Sequence, residues 1–108
     1  MTVSATVRHL DQLQELYSAG FQDTYLDSAL QKIISRQLDR DESDLVDIDA
    51  QLGEFERQYG LSSDDFWQQY QAGQMVGTAD FMEWNILYKM RQRILTRLEI
   101  LRDKHFHA

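Results

Sequence analysis

Hydrophobic side chains recur every three or four residues along most of the chain, the spacing that places them on one face of an α-helix. The longest run has the heptad rhythm of a coiled coil. Its members are Leu26, Leu30, Ile33, Ile34, Leu38, Leu45, Ile48, Leu52, Phe55 and Tyr59. Asp41 interrupts this row inside the acidic stretch DRDESD, residues 39–44. Because no glycine or proline lies there, the pattern favours one helix over residues 24–59, and the alternative is a break into two helices.

Three shorter helices are predicted, over residues 7–20, 63–72 and 79–104. Gly20, Gly60 and Gly73 each stand at the end of a periodic segment, where a glycine in the left-handed conformation commonly ends a helix. We therefore expect the three glycines to separate the helices.

Short polar side chains mark the expected helix starts, because their oxygens accept hydrogen bonds from unpaired backbone N–H groups. Thr24 followed by Asp27 approximates a capping box for the long helix. Ser62 or Ser63 is expected to cap the third helix, and Asp80 to cap the last one.

The last helix carries two apolar stripes. The first is a heptad seam of Trp84, Leu87, Ile94, Leu98 and Leu101, with Arg91 at one core position. The second, Ile86, Met90 and Ile100, lies on another face. Because a simple hairpin covers only one face, the second stripe predicts burial by the first helix, by the short third helix or by a second copy of the chain. We favour the second copy, with these three residues at the interface.

These elements define an all-α fold: a long antiparallel, coiled-coil-like helical hairpin with two short accessory helices, in a single domain of 108 residues that we expect to be dimeric. Residues 39–56 hold eight acidic side chains and one basic one, whereas residues 89–104 hold six basic and two acidic ones. Opposite charges on the two long helices predict that they lie side by side.

The composition limits the kinds of partner and site that the chain can have. The net charge of −7 argues against nucleic acid as the main partner and is compatible with a basic protein partner. The absence of cysteine excludes disulfides and thiolate sites. MTVSATVRHLDQ shows no signal peptide, and no apolar stretch reaches the ~20 residues of a membrane span. We therefore expect a cytoplasmic protein that does not associate with membranes.

No metal, cofactor or catalytic site is predicted. Asp39, Asp41 and Ser43 begin like a calcium loop, but the sixth position is not glycine and the twelfth is Ala50. His105 and His107 are two residues apart, which does not place them on one helical face. No carboxylate pair has an apolar setting that would raise one pKa for acid–base work. A non-enzymatic protein without cofactors is expected.

The segment YGLSSDDFWQQYQAG is rich in aromatic side chains. The predicted partner-binding residues are Phe66, Trp67 and Tyr70 of this segment, with Phe81 and Trp84 of the last helix. The same side chains can instead form the core of the hairpin or of a homodimer, and the sequence leaves both alternatives open.

From about Leu26 to Leu101 the chain resembles a family of small bacterial and archaeal helical proteins. The resemblance lies in YLDSALQKII at 25–34, LGEFERQYGLSSDDFWQQYQAG at 52–73 and DFMEWNILYKM at 80–90. The family pattern has a long acidic helix ending in "YG", a short helix opened by serine, acids and an aromatic pair, and a last helix opened by a spaced D-F-x-E-W. The chain departs from the pattern at GQMVGTAD and in its amphipathic extension over residues 7–21.

Some members of that family look like antitoxins, acidic proteins that bind and neutralise a basic toxin encoded in the neighbouring gene. The resemblance therefore implies a non-enzymatic protein–protein interaction module, with the acids of residues 39–49 steering a basic partner and the aromatic side chains anchoring it. The alternative is a self-assembling structural or regulatory homodimer without a toxin partner.

Overall fold

A computed structural model describes residues 3–102, and these form four α-helices and no strand. The helices are α1 (Val3–Ser18), α2 (Thr24–Tyr59), α3 (Ser63–Gln71) and α4 (Ala79–Leu101). The all-α prediction is confirmed. Helix α2 continues unbroken through the acidic stretch, so the alternative of two separate helices is excluded.

The helix bounds differ from the prediction mainly toward the two ends of the chain. Helix α1 begins at Val3, a turn before residue 7, and ends at Ser18. Gly20 follows it with φ +101°, while the N–H of Phe21 reaches back to the carbonyl of Leu16 at 3.1 Å. The predicted end of the last helix at residue 104, like His105 and His107, lies outside the described residues.

Two helix caps differ from those predicted. Asp23, not Thr24, caps α2: its carboxylate accepts from the N–H of Tyr25 at 2.9 Å. Thr78, not Asp80, caps α4: its hydroxyl accepts from the N–H of Phe81 at 3.1 Å. In both cases another common cap residue lies one or two positions earlier. Aspartate is preferred to threonine as a cap, which agrees with Asp23 in α2 but not with Thr78 in α4, so residue type alone does not decide between them.

The residues between α2 and α3 end one helix and start the next as predicted. Ser62 caps it by accepting from the N–H of Asp65 at 3.1 Å. Gly60, with φ +62°, stands just after α2 and donates to the carbonyl of Glu56 at 2.9 Å. Glycine suits this position because an L side chain is strained at such an angle. The chain therefore reverses at Gly60 and starts α3 three residues later.

Helices α2 and α4 pack against each other in an antiparallel hairpin. Ion pairs follow the hairpin from the middle of α4 to the residue just after it: Asp49 with Arg91 at 2.6 Å, Asp41 with Arg97 at 2.9 Å, and Glu42 with Arg102 at 3.5 Å. The predicted matching of an acidic with a basic helix is thus confirmed.

The chain divides into two compact units, Met1–Ile33 and Ile34–Ala108. In the first unit, the hydroxyl of Tyr17 donates to Asp27 at 2.6 Å, and the ring of Tyr17 meets that of Phe21 edge-on. These contacts join α1 to the first turns of α2. The second unit contains the hairpin, α3 and the hydrophobic core. Its buried apolar side chains are Ile48, Leu52, Phe66, Trp84, Leu87, Ile94 and Leu98.

Candidate interaction surfaces

An aromatic cluster fills the end of the hairpin where α3 joins it. Phe66 of α3 stacks flat on Trp84 of α4, with ring centroids 3.9 Å apart and planes inclined by 3°. Phe55 of α2 stacks on the same indole at 5.5 Å. Tyr59 and Phe81 meet edge-on beside it at 5.0 Å. Such ring contacts add stability beyond the area they bury, so the cluster holds three helices together.

Two hydrogen bonds connect polar groups inside this cluster. The indole N–H of Trp84 donates to the hydroxyl of Ser63 at 2.9 Å, and both side chains are buried. The backbone N–H of Ser63 donates to the carboxylate of Glu56 at 2.7 Å. Because a buried donor without a partner is costly, these bonds fix the position of α3 on the hairpin.

The cluster leaves little of the predicted partner-binding residues on the surface. Phe66 and Trp84 are both 0% exposed, so in the folded chain neither offers a surface to a partner. Trp67, Tyr70 and Phe81 are half-buried and pack against the core. Phe66 and Trp84 are therefore core residues of the folded chain, which is one of the two alternatives that the sequence left open.

Tyr88 attaches α3 to one side of α4. Its ring stacks on that of Trp67 at 5.2 Å, and its hydroxyl donates to the carboxylate of Asp64 at 2.8 Å. Burial raises the pKa of the Tyr88 phenol, and the hydrogen bond to Asp64 raises it further. Helix α3 thus covers one face of the hairpin.

The opposite face of the hairpin carries a cleft, which we call the open face. Met90 follows Tyr88 by two residues, which at 100° per residue turns it about 200° away from α3. The cleft has a volume of about 440 Å³. Its lining residues are Asp44, Asp47, Ile48, Gln51, Met90, Arg93, Ile94 and Arg97. One wall is therefore acidic, the other basic, and the floor apolar.

The predicted oligomer-interface residues lie on this side of α4 or next to it. Ile86, Met90 and Ile100 are all exposed. Residues of one helix face are neighbours when they are three or four apart, which groups Ile86 with Met90, and Met90 with Arg93 of the cleft. The second apolar stripe thus remains uncovered in the single chain, and the interface stays a prediction.

A buried ion pair adjoins the open face. Asp41, the residue that interrupts the hydrophobic row of α2, is 1% exposed, whereas the side chain of Arg97 is 49% exposed. The guanidinium of Arg97 donates twice to this carboxylate, at 2.9 and 3.1 Å, and the amide of Gln37 donates at 2.9 Å. Hydrogen bonds from Arg97 hold the pKa of Asp41 below its usual value.

Helix α1 presents a second uncovered apolar surface, in the N-terminal unit. Val7, Leu10 and Leu16 each expose about half of their surface, at 49%, 54% and 47%. At 100° per residue, Leu10 lies about 60° from Val7 and about 120° from Leu16, so the exposed apolar side chains form a row that winds half-way around the helix. The amphipathic character of this helix was predicted from the sequence, but no partner-binding residue was assigned to it, although its row of apolar side chains was the signal.

The described residues hold no group of three or more metal-ligating side chains arranged for an ion. Among the helices that the structure describes, none combines the length and apolarity that a membrane span requires. No protein family, no curated protein and no solved structure matches the chain. The uncovered apolar face of α1 and the open face of the hairpin are the candidate sites that the geometry offers.

Proposed function

We propose that the chain is a non-enzymatic protein–protein interaction module that binds a basic partner protein through the apolar face of α1. The observation that carries this proposal is the half-exposed stripe of Val7, Leu10 and Leu16. Neighbouring exposed apolar side chains on a small protein commonly mark an interaction site. Val7 and Leu10 are three residues apart, a spacing found between neighbouring anchors of an amphipathic helix that docks into a hydrophobic groove.

The polar side of α1 favours a protein groove over a lipid surface. Arg8 is the only arginine or lysine of α1, and it is accompanied by Asp11 and Glu15. Helices that lie in membrane interfaces are typically rich in lysine and arginine on the polar face. An acidic polar face instead suits a groove with basic rims.

The charge of the whole chain supports a basic partner. The net charge of −7 attracts proteins of opposite sign and accelerates their encounter. Asp39 and Asp47 take part in none of the ion pairs between the described residues, and both are exposed. The family resemblance supports a more specific form of the proposal, in which the partner is a toxin encoded nearby and binding neutralises it by covering its surface.

Co-expression with the protein encoded by the adjacent open reading frame tests this proposal. The wild-type chain is expected to relieve growth inhibition and to co-purify with that protein. Leu10→Asp places a charge in the apolar stripe and is expected to abolish both effects. Ser4→Asp makes the same charge change about 120° away around α1 and is expected to keep both.

Circular dichroism of both variants checks that α1 remains helical. A Leu10→Asp variant that rescues growth and co-purifies as well as the wild type contradicts the assignment to α1. Failure of the wild-type chain to form any complex with the adjacent protein contradicts the antitoxin-like form of the proposal.

A further inference from the structure

We propose that the open face of the hairpin binds the open face of a second copy of this chain. This inference goes beyond the proposed function, because it uses α2 and α4 of the C-terminal unit and no residue of α1. A second copy would cover Ile86 and Met90 of the second stripe of α4, and the charges of the cleft walls are complementary to such a copy.

The two walls of the cleft carry opposite charges at matching heights. Asp41 faces Arg97 and Asp49 faces Arg91 across the hairpin, so the positions between them are also opposite each other. Asp47 of α2 therefore lies level with Arg93 of α4. Both line the cleft, yet neither belongs to an ion pair between described residues. Each wall thus retains a charge for which the other wall has the complement.

A two-fold axis parallel to the helices makes this face complementary to itself. Such an axis places α2 of one copy over α4 of the other without changing the height of any residue. Asp47 then meets Arg93 of the second copy, and Arg93 meets its Asp47, so that every contact occurs twice. Asp44 takes the place between Arg93 and Arg97 of the second copy.

The other two-fold arrangement is disfavoured by the same charges. An axis perpendicular to the helices places α2 over α2, which brings Asp44 and Asp47 toward the acids of the second copy. Like charges facing each other across an interface are destabilising. The charge pattern therefore selects the parallel axis.

The parallel axis also covers the apolar side chains between the walls. Ile86 and Met90, exposed in the single chain, come to lie between the two hairpins with Ile48 and Ile94 beneath them. Each long helix then has two antiparallel neighbours, as in a four-helix bundle. Burial of these apolar groups supplies the main attraction, and the ion pairs define the register.

Charge reversal with mixing tests the arrangement, with sedimentation velocity as the measurement. The wild type is expected to be a dimer at micromolar concentration. Asp47→Arg and Arg93→Asp each place like charges in both symmetric contacts, and each is expected to raise the dimer dissociation constant at least about tenfold. An equimolar mixture of the two variants restores opposite charges in both contacts of the mixed dimer, which is expected to form with wild-type affinity.

Asp39→Arg is the matched control, because Asp39 does not line the cleft, lies two turns (about 12 Å) from Asp47 along α2, and undergoes the same charge change. It is expected to dimerise like the wild type. A wild-type chain that remains monomeric at ~100 μM overturns the proposal. So do single variants that dimerise normally, or a mixture that remains as weak as its components. Binding of the adjacent protein through α1 is measured separately, so either result can stand without the other.

Discussion

Arg97 donates two hydrogen bonds to Asp41, a residue 56 positions earlier in the chain, and the two partners differ sharply in exposure. The carboxylate is enclosed between the helices, whereas half of the arginine side chain is in water. Removing one partner therefore has a different consequence from removing the other. Loss of the arginine leaves a buried charge, but loss of the aspartate leaves an arginine that is free to turn toward solvent.

We expect Arg97→Met to lower the free energy of unfolding by roughly 2 kcal/mol. This loss is smaller than for a fully buried ion pair, because water reaches the site from the side of the arginine. Asp41→Leu is expected to be neutral or stabilising, since leucine completes the hydrophobic row of α2. Urea denaturation followed by circular dichroism measures both. Equal destabilisation by the two substitutions would contradict this asymmetry.

The pair also predicts how stability depends on pH. The pKa of Asp41 is lowered in the folded chain, so its contribution is complete above the usual value near 3.8 and is lost as the pH falls through the folded value. Stability is therefore expected to decline on acidification below about pH 4 more steeply in the wild type than in Asp41→Leu. Urea midpoints between pH 2.5 and 7 test this, and parallel curves for the two proteins would refute it.

Substitutions in the aromatic cluster are expected to act on folding before they act on binding. Phe66→Ala empties a fully enclosed site and should lower the free energy of unfolding by roughly 3–5 kcal/mol. Trp67→Ala removes a half-buried ring and should have a smaller effect. Thermal denaturation of both variants gives the comparison. A Phe66→Ala variant with wild-type stability that fails only in partner binding would restore Phe66 as an anchor.

Two glycines of the hairpin unit are expected to respond oppositely to alanine. Gly53 lies inside α2, where an added Cβ meets Arg57 at an ordinary 3.7 Å, so Gly53→Ala should stabilise by about 0.5–1 kcal/mol. Gly60 has φ +62°, so Gly60→Ala should destabilise by about 1–2 kcal/mol although nothing lies near the new methyl group. Urea midpoints of the two variants should therefore move in opposite directions from that of the wild type. Destabilisation by Gly53→Ala, or an unchanged midpoint for Gly60→Ala, would contradict this prediction.

Local sequence signals were sufficient for the main elements of the fold. The heptad row and Gly60 together determine the extent of α2, and Ser62 identifies the start of α3. Neighbouring cap residues were harder to distinguish, because Asp23 and Thr24 are adjacent and both are common at the N-cap position. The prediction of α1 began a turn late, since its first residues carry little periodic signal.

Contacts between distant residues account for what sequence reasoning missed at the candidate surfaces. Asp41 was recognised as a misfit in the hydrophobic row, but its partner lies on another helix. The burial of Phe66 and Trp84 depends on how α3 sits on the hairpin, which Ser63 and Glu56 determine through hydrogen bonds. An aromatic residue has the same helical spacing whether it faces the core or a partner.

The spacing of the hairpin contacts along the chain also has a kinetic consequence. The bond between Ser63 and Trp84 closes a loop of 21 residues, whereas the pair of Asp41 and Arg97 closes one of 56. Shorter loops lose less chain entropy on closure, so we expect the end of the hairpin with the aromatic cluster to form first. Packing of α2 against α4 then extends from there toward Asp41. Folding kinetics of Ser63→Ala and Arg97→Met should show this order: the first variant folds more slowly, and the second mainly unfolds faster. The reversed pattern would place the nucleus at the ion pair. A chain that folds in this order completes its acidic and basic walls last, after its aromatic rings are already out of reach of other molecules.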